Sequence, residues 1–270
     1  MRSNNILIKM ILIIFSIFIL LPILLIIVSS LLSESDIAGL YYSHQRFGFQ
    51  FTFHHYVSIF NTQAGILKAF SNSIIVTLAL VTGNTFISII AAYVLSKIRF
   101  KGSETFFYIL VLIMILPVMV KLVPNYIMLN KLKLLGSLWS IILPGIFNPF
   151  GIFILKQYMS YIPDEYINSA RLDGATFSSS LYYIVVPMAK SGILSVIVFD
   201  FIDSWNMVEQ PLVFLTDETK YPISLFLLSI SQSKVGEGFA ASVLYMLPVL
   251  LIFFFGKSHF IRGIQLTGLK

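Results

Sequence analysis

The 270-residue chain has no cysteine, which excludes a disulfide framework, a Cys-ligated zinc or iron–sulfur centre and any thiol nucleophile. It is also short of charge. Charged residues make up 11% of the chain, against about 25% in an ordinary soluble domain, so polar groups cannot cover its surface and most of that surface must meet lipid. Disorder is excluded as well, because 25 Phe, 13 Tyr and a heavy Ile/Leu load are the opposite of a low-hydrophobicity composition. What remains is a membrane protein whose net charge of +6 has to be located before it can be interpreted.

A bilayer core about 30 Å thick takes roughly 20 apolar residues of helix to cross. The uncharged runs Met10 to Ser33, Ala69 to Ser96, Leu134 to Leu155 and Gly238 to Gly256 each meet that length. The first follows Arg2 and Lys9 as a signal peptide would, but it is too long and lacks an A-x-A-like cleavage site, so it is read as a retained span. Thr105 to Val120 is shorter and ends at Lys121, whose amine can snorkel. A further span lies between Lys190 and Tyr221, interrupted by Asp200, Asp203 and Glu209. Counting it gives six helices with both ends on one side.

The positive-inside rule tests that arrangement. With both termini cytoplasmic, eleven Lys/Arg fall in the inner segments, among them Arg99 and Lys270, and seven fall in the outer ones, Arg46 included. The net charge is then a set of topology determinants, and a nucleic-acid partner is not needed to account for it. The first outer loop, Glu34 to Lys68, is dense in aromatics and carries Tyr42, His44, Phe47 and Phe49, which suits an interfacial belt or a partner surface. Its adjacent His54-His55 pair has the wrong spacing for two ligands on one helix face, so no metal site is assigned. The VPNYIMLNKLKLLG segment of the second outer loop is expected to be a short interfacial helix, and YPISLFLLSISQS in the third a re-entrant or surface-lying one.

The longest inner segment begins at Leu155. Pro163 followed by Asp164 and Glu165 is a helix start, and Gly174 a stop. The short helix between them sets Tyr166 and Ala170 on one face, near the small residues Ser169, Gly174 and Ala175. By itself it fits either a loop helix packed on its own bundle or one that enters a partner's cleft.

Spacing adds a resemblance. Asn168-Ser169-Ala170, Gly174 four positions on, then Ile184 and Val186-Pro187 resemble the E-A-A-x(3)-G-x(9)-I-x-L-P signature of ABC importer permeases. Ala170, Gly174, Ile184 and Pro187 match, whereas Asn168, Ser169 and Val186 stand where the pattern has Glu, Ala and Leu, so no role of that glutamate carries over. ILPGIFNPFGIFILKQYMSYIPDEYINSARLDGA, FDFIDSWNMVEQPLVFL and the tail FIRGIQLTGLK are similar to carbohydrate importer permeases of the maltose-importer type, over roughly Phe70 to Lys270.

The resemblance implies an all-α polytopic fold of six transmembrane helices, the ABC type I importer permease fold. It would comprise a first helix and aromatic loop over 1–68, a transmembrane domain over 69–262 with a coupling loop at 156–190, and a cytoplasmic tail over 263–270. It further implies a bacterial cell membrane location, a homologous second permease, two ABC ATPase subunits, an extracytoplasmic binding protein and a carbohydrate solute. The ATPase-coupling residues would be Glu165, Tyr166, Ser169, Ala170, Asp173, Gly174, Ala175 and Pro187.

Asp200 and Asp203 share a helix face inside the fifth span, and an ionisable residue there is a functional candidate by default. Structural or cavity-lining roles, solute contact and ion coupling all stay open, the last being the basis of an alternative, an ion-coupled secondary transporter. Trp205, Asn206 and Glu209 complete a possible solute pathway, since an indole face beside an amide suits a sugar ring, although Trp at this depth also serves as an interfacial anchor. Gly256-Lys257-Ser258 imitates a phosphate loop, but Leu251 replaces its first glycine. No nucleophile–base pair or dinucleotide loop is present, so the chain is read as a non-catalytic subunit without a cofactor, ATP and Mg²⁺ being bound by the partner ATPases.

Overall fold

The computed structural model describes residues 2–41, 50–62, 65–98, 100–230 and 234–268. The aromatic loop's Tyr42, His44, Arg46, Phe47 and Phe49, together with Arg99 and Lys270, lie outside the described residues, as do the side chains of Gly256-Lys257-Ser258 and of the tail. No β-strand occurs among the described residues, only one isolated bridge between Leu32 and Phe51. Among the described residues four helices are long and apolar enough to cross a membrane, and two bent helix pairs, each taken as one span, raise the number to six.

The chain divides into two compact units, residues 1–67 with 226–247 and residues 68–225 with 248–270. In the first, α1 (Arg2–Ser29) is followed by α2 (Glu34–Tyr41) and α3 (His54–Thr62). From Ile8 to Pro22 the side chains of α1 are exposed around its whole circumference, a surface that lipid or a partner must cover. The segment after α1 is held by backbone bonds to Gln50 and Thr52, by Asp36 accepting from Ser33 Oγ and the Gln50 amide, and by a Ser30–Tyr56 hydroxyl contact of 2.8 Å. His55 is buried, with Nε2 2.8 Å from the Leu32 carbonyl. That hydrogen bond accounts for one of the paired histidines structurally.

The second unit is organised on α4 (Gly65–Lys97), the next helix in the chain. The sequence run Thr105 to Val120 is not one straight helix. It is split into α5 (Ser103–Ile115) and α6 (Val118–Lys131), bent by 101°. Pro117 is the cause, since it forces Leu116 into an extended conformation (ψ 127°) and cannot itself donate to the preceding turn. The expected interfacial helix is therefore the continuation of α6, which begins at Val118.

The Leu134 to Leu155 run overlaps one candidate span, Trp139–Ser160, interrupted at residues 146–148 between α7 (Trp139–Gly145) and α8 (Pro149–Ser160). Asn148 restarts it by accepting the Phe150 amide at 3.2 Å, with Pro149 pre-set in the first turn. Then come α9 (Asp164–Leu172), α10 (Phe177–Ser180), a π-helical turn (Leu181–Val185), α11 (Val186–Met188) and α12 (Lys190–Trp205). The α10–α11 arm meets α12 at 79°. The chain closes with α13 (Glu209–Phe214), a 3₁₀ turn (Glu218–Lys220), α14 (Ile223–Ser229) and α15 (Val235–Gly268). The segment expected to be re-entrant or surface-lying contains α14, with Ile223, Ser224 and Leu225 buried, and its end at Ser231-Gln232-Ser233 lies outside the described residues.

Broken backbone in lipid needs internal partners, and α4 supplies them. Asn84 Nδ2 donates to the Asn148 carbonyl at 3.0 Å and reaches that of Ile146, both in the α7–α8 break, while Ser88 Oγ donates to Asn84 Oδ1. Gly151 makes the approach possible, because a Cβ there would lie 2.4 Å from Ser88 Oγ. Nearer the start of α4, Asn72 donates to the carbonyls of Thr219 and Tyr221, and Ser73 Oγ accepts the Ile223 amide at 2.8 Å. Within the 3₁₀ turn so gripped, the hydroxyl and amide of Thr219 hold the Asp217 carboxyl below the usual range.

Replacing Asn84 by Leu removes the donor from two part-buried carbonyls. The expected cost is roughly 1–3 kcal/mol, to be measured as a lowered thermal midpoint in detergent, with Asn84→Gln closer to the parent.

Candidate functional site

Helix α9 is a two-turn element whose ends are written into its sequence. Pro163 is extended (φ −60°, ψ 137°), and Asp164 and Glu165 stand at the positive end of the helix dipole, with Arg171 in the last turn. The far end is closed by a Schellman motif, in which the Gly174 amide donates to the Arg171 carbonyl at 3.0 Å and the Ala175 amide to that of Ala170 at 2.8 Å. This geometry places Gly174 at φ +84°, where a side chain is strained even though nothing lies within 4 Å of its Cβ position.

Only Ile167 of α9 is buried. It enters a core made by Ala92 and Tyr93 of α4, Leu155 and Met159 of α8, and Val185, Ala189 and Val196. Glu165, Tyr166, Ser169, Asp173 and Gly174 are exposed, Ala170 and Ala175 are half-buried, and Leu172 is 90% exposed. The expected coupling residues from Glu165 to Ala175 thus share one protruding turn-and-a-cap. Pro187 stands apart from them in α11, beyond the π-helical turn.

Lys97 and Asp164 were not among the residues expected at this site, yet they meet there at 2.8 Å. With Ile98, Ile167, Asn168 and Arg171 they line a cleft of about 450 Å³. The available sequence signals were that Lys97 is the first cation after a 28-residue uncharged run and that Asp164 follows a helix-starting proline. Neither says that they touch, because 66 residues separate them.

The second group of expected residues divides. Asp200 is 5% exposed and its Oδ2 has no hydrogen-bond partner. Asp203, one turn on, is exposed and lies within electrostatic range of Glu209 and Lys121. Asn206 caps α12, its Nδ2 donating to the Ile202 carbonyl at 2.7 Å.

Trp205 departs from both roles considered for it. Its indole is 1% exposed, edge-on to Phe70 at 5.4 Å and stacked with Phe201 at 5.6 Å, so neither ring face is open to a sugar or to an interface. Packing between two phenylalanines, not anchoring, accounts for its position. Trp205→Ala should therefore cost about 3–5 kcal/mol of stability, read as a lowered thermal midpoint, with solute uptake per folded complex retained. A stable variant without uptake would return the indole to the solute pathway.

Comparison with known proteins agrees with this architecture. The arabinooligosaccharides transport system permease protein AraQ of Bacillus subtilis (strain 168) is 30% identical over 223 residues, covering 81% of this chain and 79% of that one. The diacetylchitobiose uptake system permease protein NgcG of Streptomyces coelicolor is 29% identical over 252 residues, covering 90% and 81%. A crystal structure of a bacterial ABC transporter involved in the import of the acidic polysaccharide alginate has the same fold, with a TM-score of 0.84 at 22% identity over 96% of this chain and 97% of the matched chain. Residues 84–265 match the family described as binding-protein-dependent transport system inner membrane component, and the chain belongs to that family.

Proposed function

We propose that the chain is the permease subunit of an ATP-driven importer and that, with a homologous second permease, it forms an alternating-access pathway for a carbohydrate. The solute is an oligosaccharide delivered by an extracytoplasmic binding protein. The names of similar proteins support the class, since AraQ and NgcG are permeases for arabinooligosaccharides and diacetylchitobiose. The protein sits in the bacterial cell membrane with both termini in the cytoplasm, an orientation favoured by the excess of Lys and Arg in the inner segments. It is not an enzyme, and two partner ATPases bind the ATP and Mg²⁺.

The observation that carries this reading is α9. A short, charge-rich helix that buries one side chain and leaves Tyr166 and Leu172 exposed is an unpartnered contact surface. In an importer permease this is the helix on which an ATPase docks, and Glu165, Tyr166, Ser169, Ala170, Asp173, Gly174 and Ala175 form the contact. Closure of the ATPases then rocks the bundle between inward-facing and outward-facing states. Asp203, Glu209 and Asn206 are exposed on the single chain. Exposure to lipid would be costly for the two carboxylates, so this face of the α12–α13 corner is assigned to the watery solute pathway.

Gly174→Asp tests the docking. Asp tolerates a left-handed backbone better than most residues, and the chain itself leaves room for the side chain. The complex should therefore assemble and hydrolyse ATP, while solute uptake per ATP falls on the order of tenfold. Uptake at the parental ratio in reconstituted vesicles would sink the docking assignment.

A further inference from the structure

Lys97 ends α4, and although it is a lysine its side chain is only 3% exposed. Its ammonium donates to the carbonyl of Ile162 and, at 2.8 Å, to Oδ1 of Asp164. Both acceptors belong to the entry of α9. A desolvated cation is costly unless its partners are well placed, so this pairing is a constraint and not a surface decoration.

Stabilising α9 is not what the lysine does, because a cation near a helix N-terminus opposes the dipole. The order of charges explains the joint better. The negative end of α4, the Lys97 ammonium, the Asp164 carboxylate and the positive end of α9 alternate in sign along one line of contacts. The same α4 grips the α7–α8 break through Asn84 and the start of α14 through Ser73. A single helix thus carries three attachments, and Lys97 makes the one nearest the docking surface.

We propose that Lys97 is a positioning residue that couples α9 to α4, so that a displacement of α9 passes through the Lys97–Asp164–Ile162 joint to the broken spans. The half-exposed carboxylate and the cleft beside it leave the joint room to tilt without separating. The inference rests on the reading of α9 as the ATPase-docking helix.

The test uses the complete complex in vesicles, with its partner permease, ATPases and binding protein, and reads solute taken up per ATP hydrolysed. Lys97→Met keeps the aliphatic stem and removes the donor, and the ratio should fall on the order of tenfold, with Lys97→Arg retaining most of it and Asp164→Asn falling between. A second arm exploits the absence of native cysteine in this chain. In a complex whose partners also lack cysteine, Lys97→Cys with Asp164→Cys should transport poorly. Bridging the pair with a short bis-methanethiosulfonate, which joins each thiol through a disulfide and releases two methanesulfinates, should restore coupling, and reduction of those disulfides should abolish it again. A role in folding alone would not respond to reduction after assembly, so this arm also decides the matter if Lys97→Met fails to assemble. Parental uptake per ATP from Lys97→Met, or from the unbridged pair, overturns the proposal. A parental complex that moves no solute with ATP would instead overturn the reading of α9.

Discussion

Backbone that leaves the helical path inside lipid exposes N–H and C=O groups that water cannot reach, and each must find a partner within the protein. In this chain α4 meets that demand. Its apolar length makes it a span, but Asn72, Ser73, Asn84 and Ser88 give it a buried polar side from which it bonds the α7–α8 break and the segment entering α14. The polar groups are few and individually modest in energy. Their alternative in a membrane is an orphaned carbonyl, which is why the α7–α8 break and the segment entering α14 lie within reach of α4.

Each break has a local signature in the sequence. Pro117 turns α5 into α6, Asn148 and Pro149 restart α8, and a π-helical turn precedes the 79° corner into α12. Where α12 gives way to α13, Asp203, Asn206 and Glu209 are left exposed on the single chain.

How much of this was legible differs from element to element. Helix α9 could be read almost completely, because a proline, two acids and a glycine define both of its ends by local chemistry. The Leu134 to Leu155 run was legible as a span, overlapping Trp139–Ser160, whereas the bend at Pro117 that ends the Thr105 to Val120 helix was not, since uncharged length reports lipid compatibility and says nothing of direction. Trp205 was misread for a related reason: an aromatic near the end of a span looks the same in sequence whether its faces are open or filled by Phe70 and Phe201.

Sequence alone determined the properties that depend on neighbours in the chain or on composition. The want of charge dictated a membrane protein, the uncharged runs dictated where spans lie, and the proline-to-glycine interval dictated a short capped helix between two of them. Only the tertiary structure decided which polar residues of α4 would serve which carbonyl, that Asp200 would be buried while Asp203 is exposed, and that Lys97 would be enclosed against Ile162 and Asp164. The reason is physical. Caps and spans are set by bonds and burial over a few residues, whereas these pairings join groups more than 60 positions apart, whose meeting depends on how the helices pack.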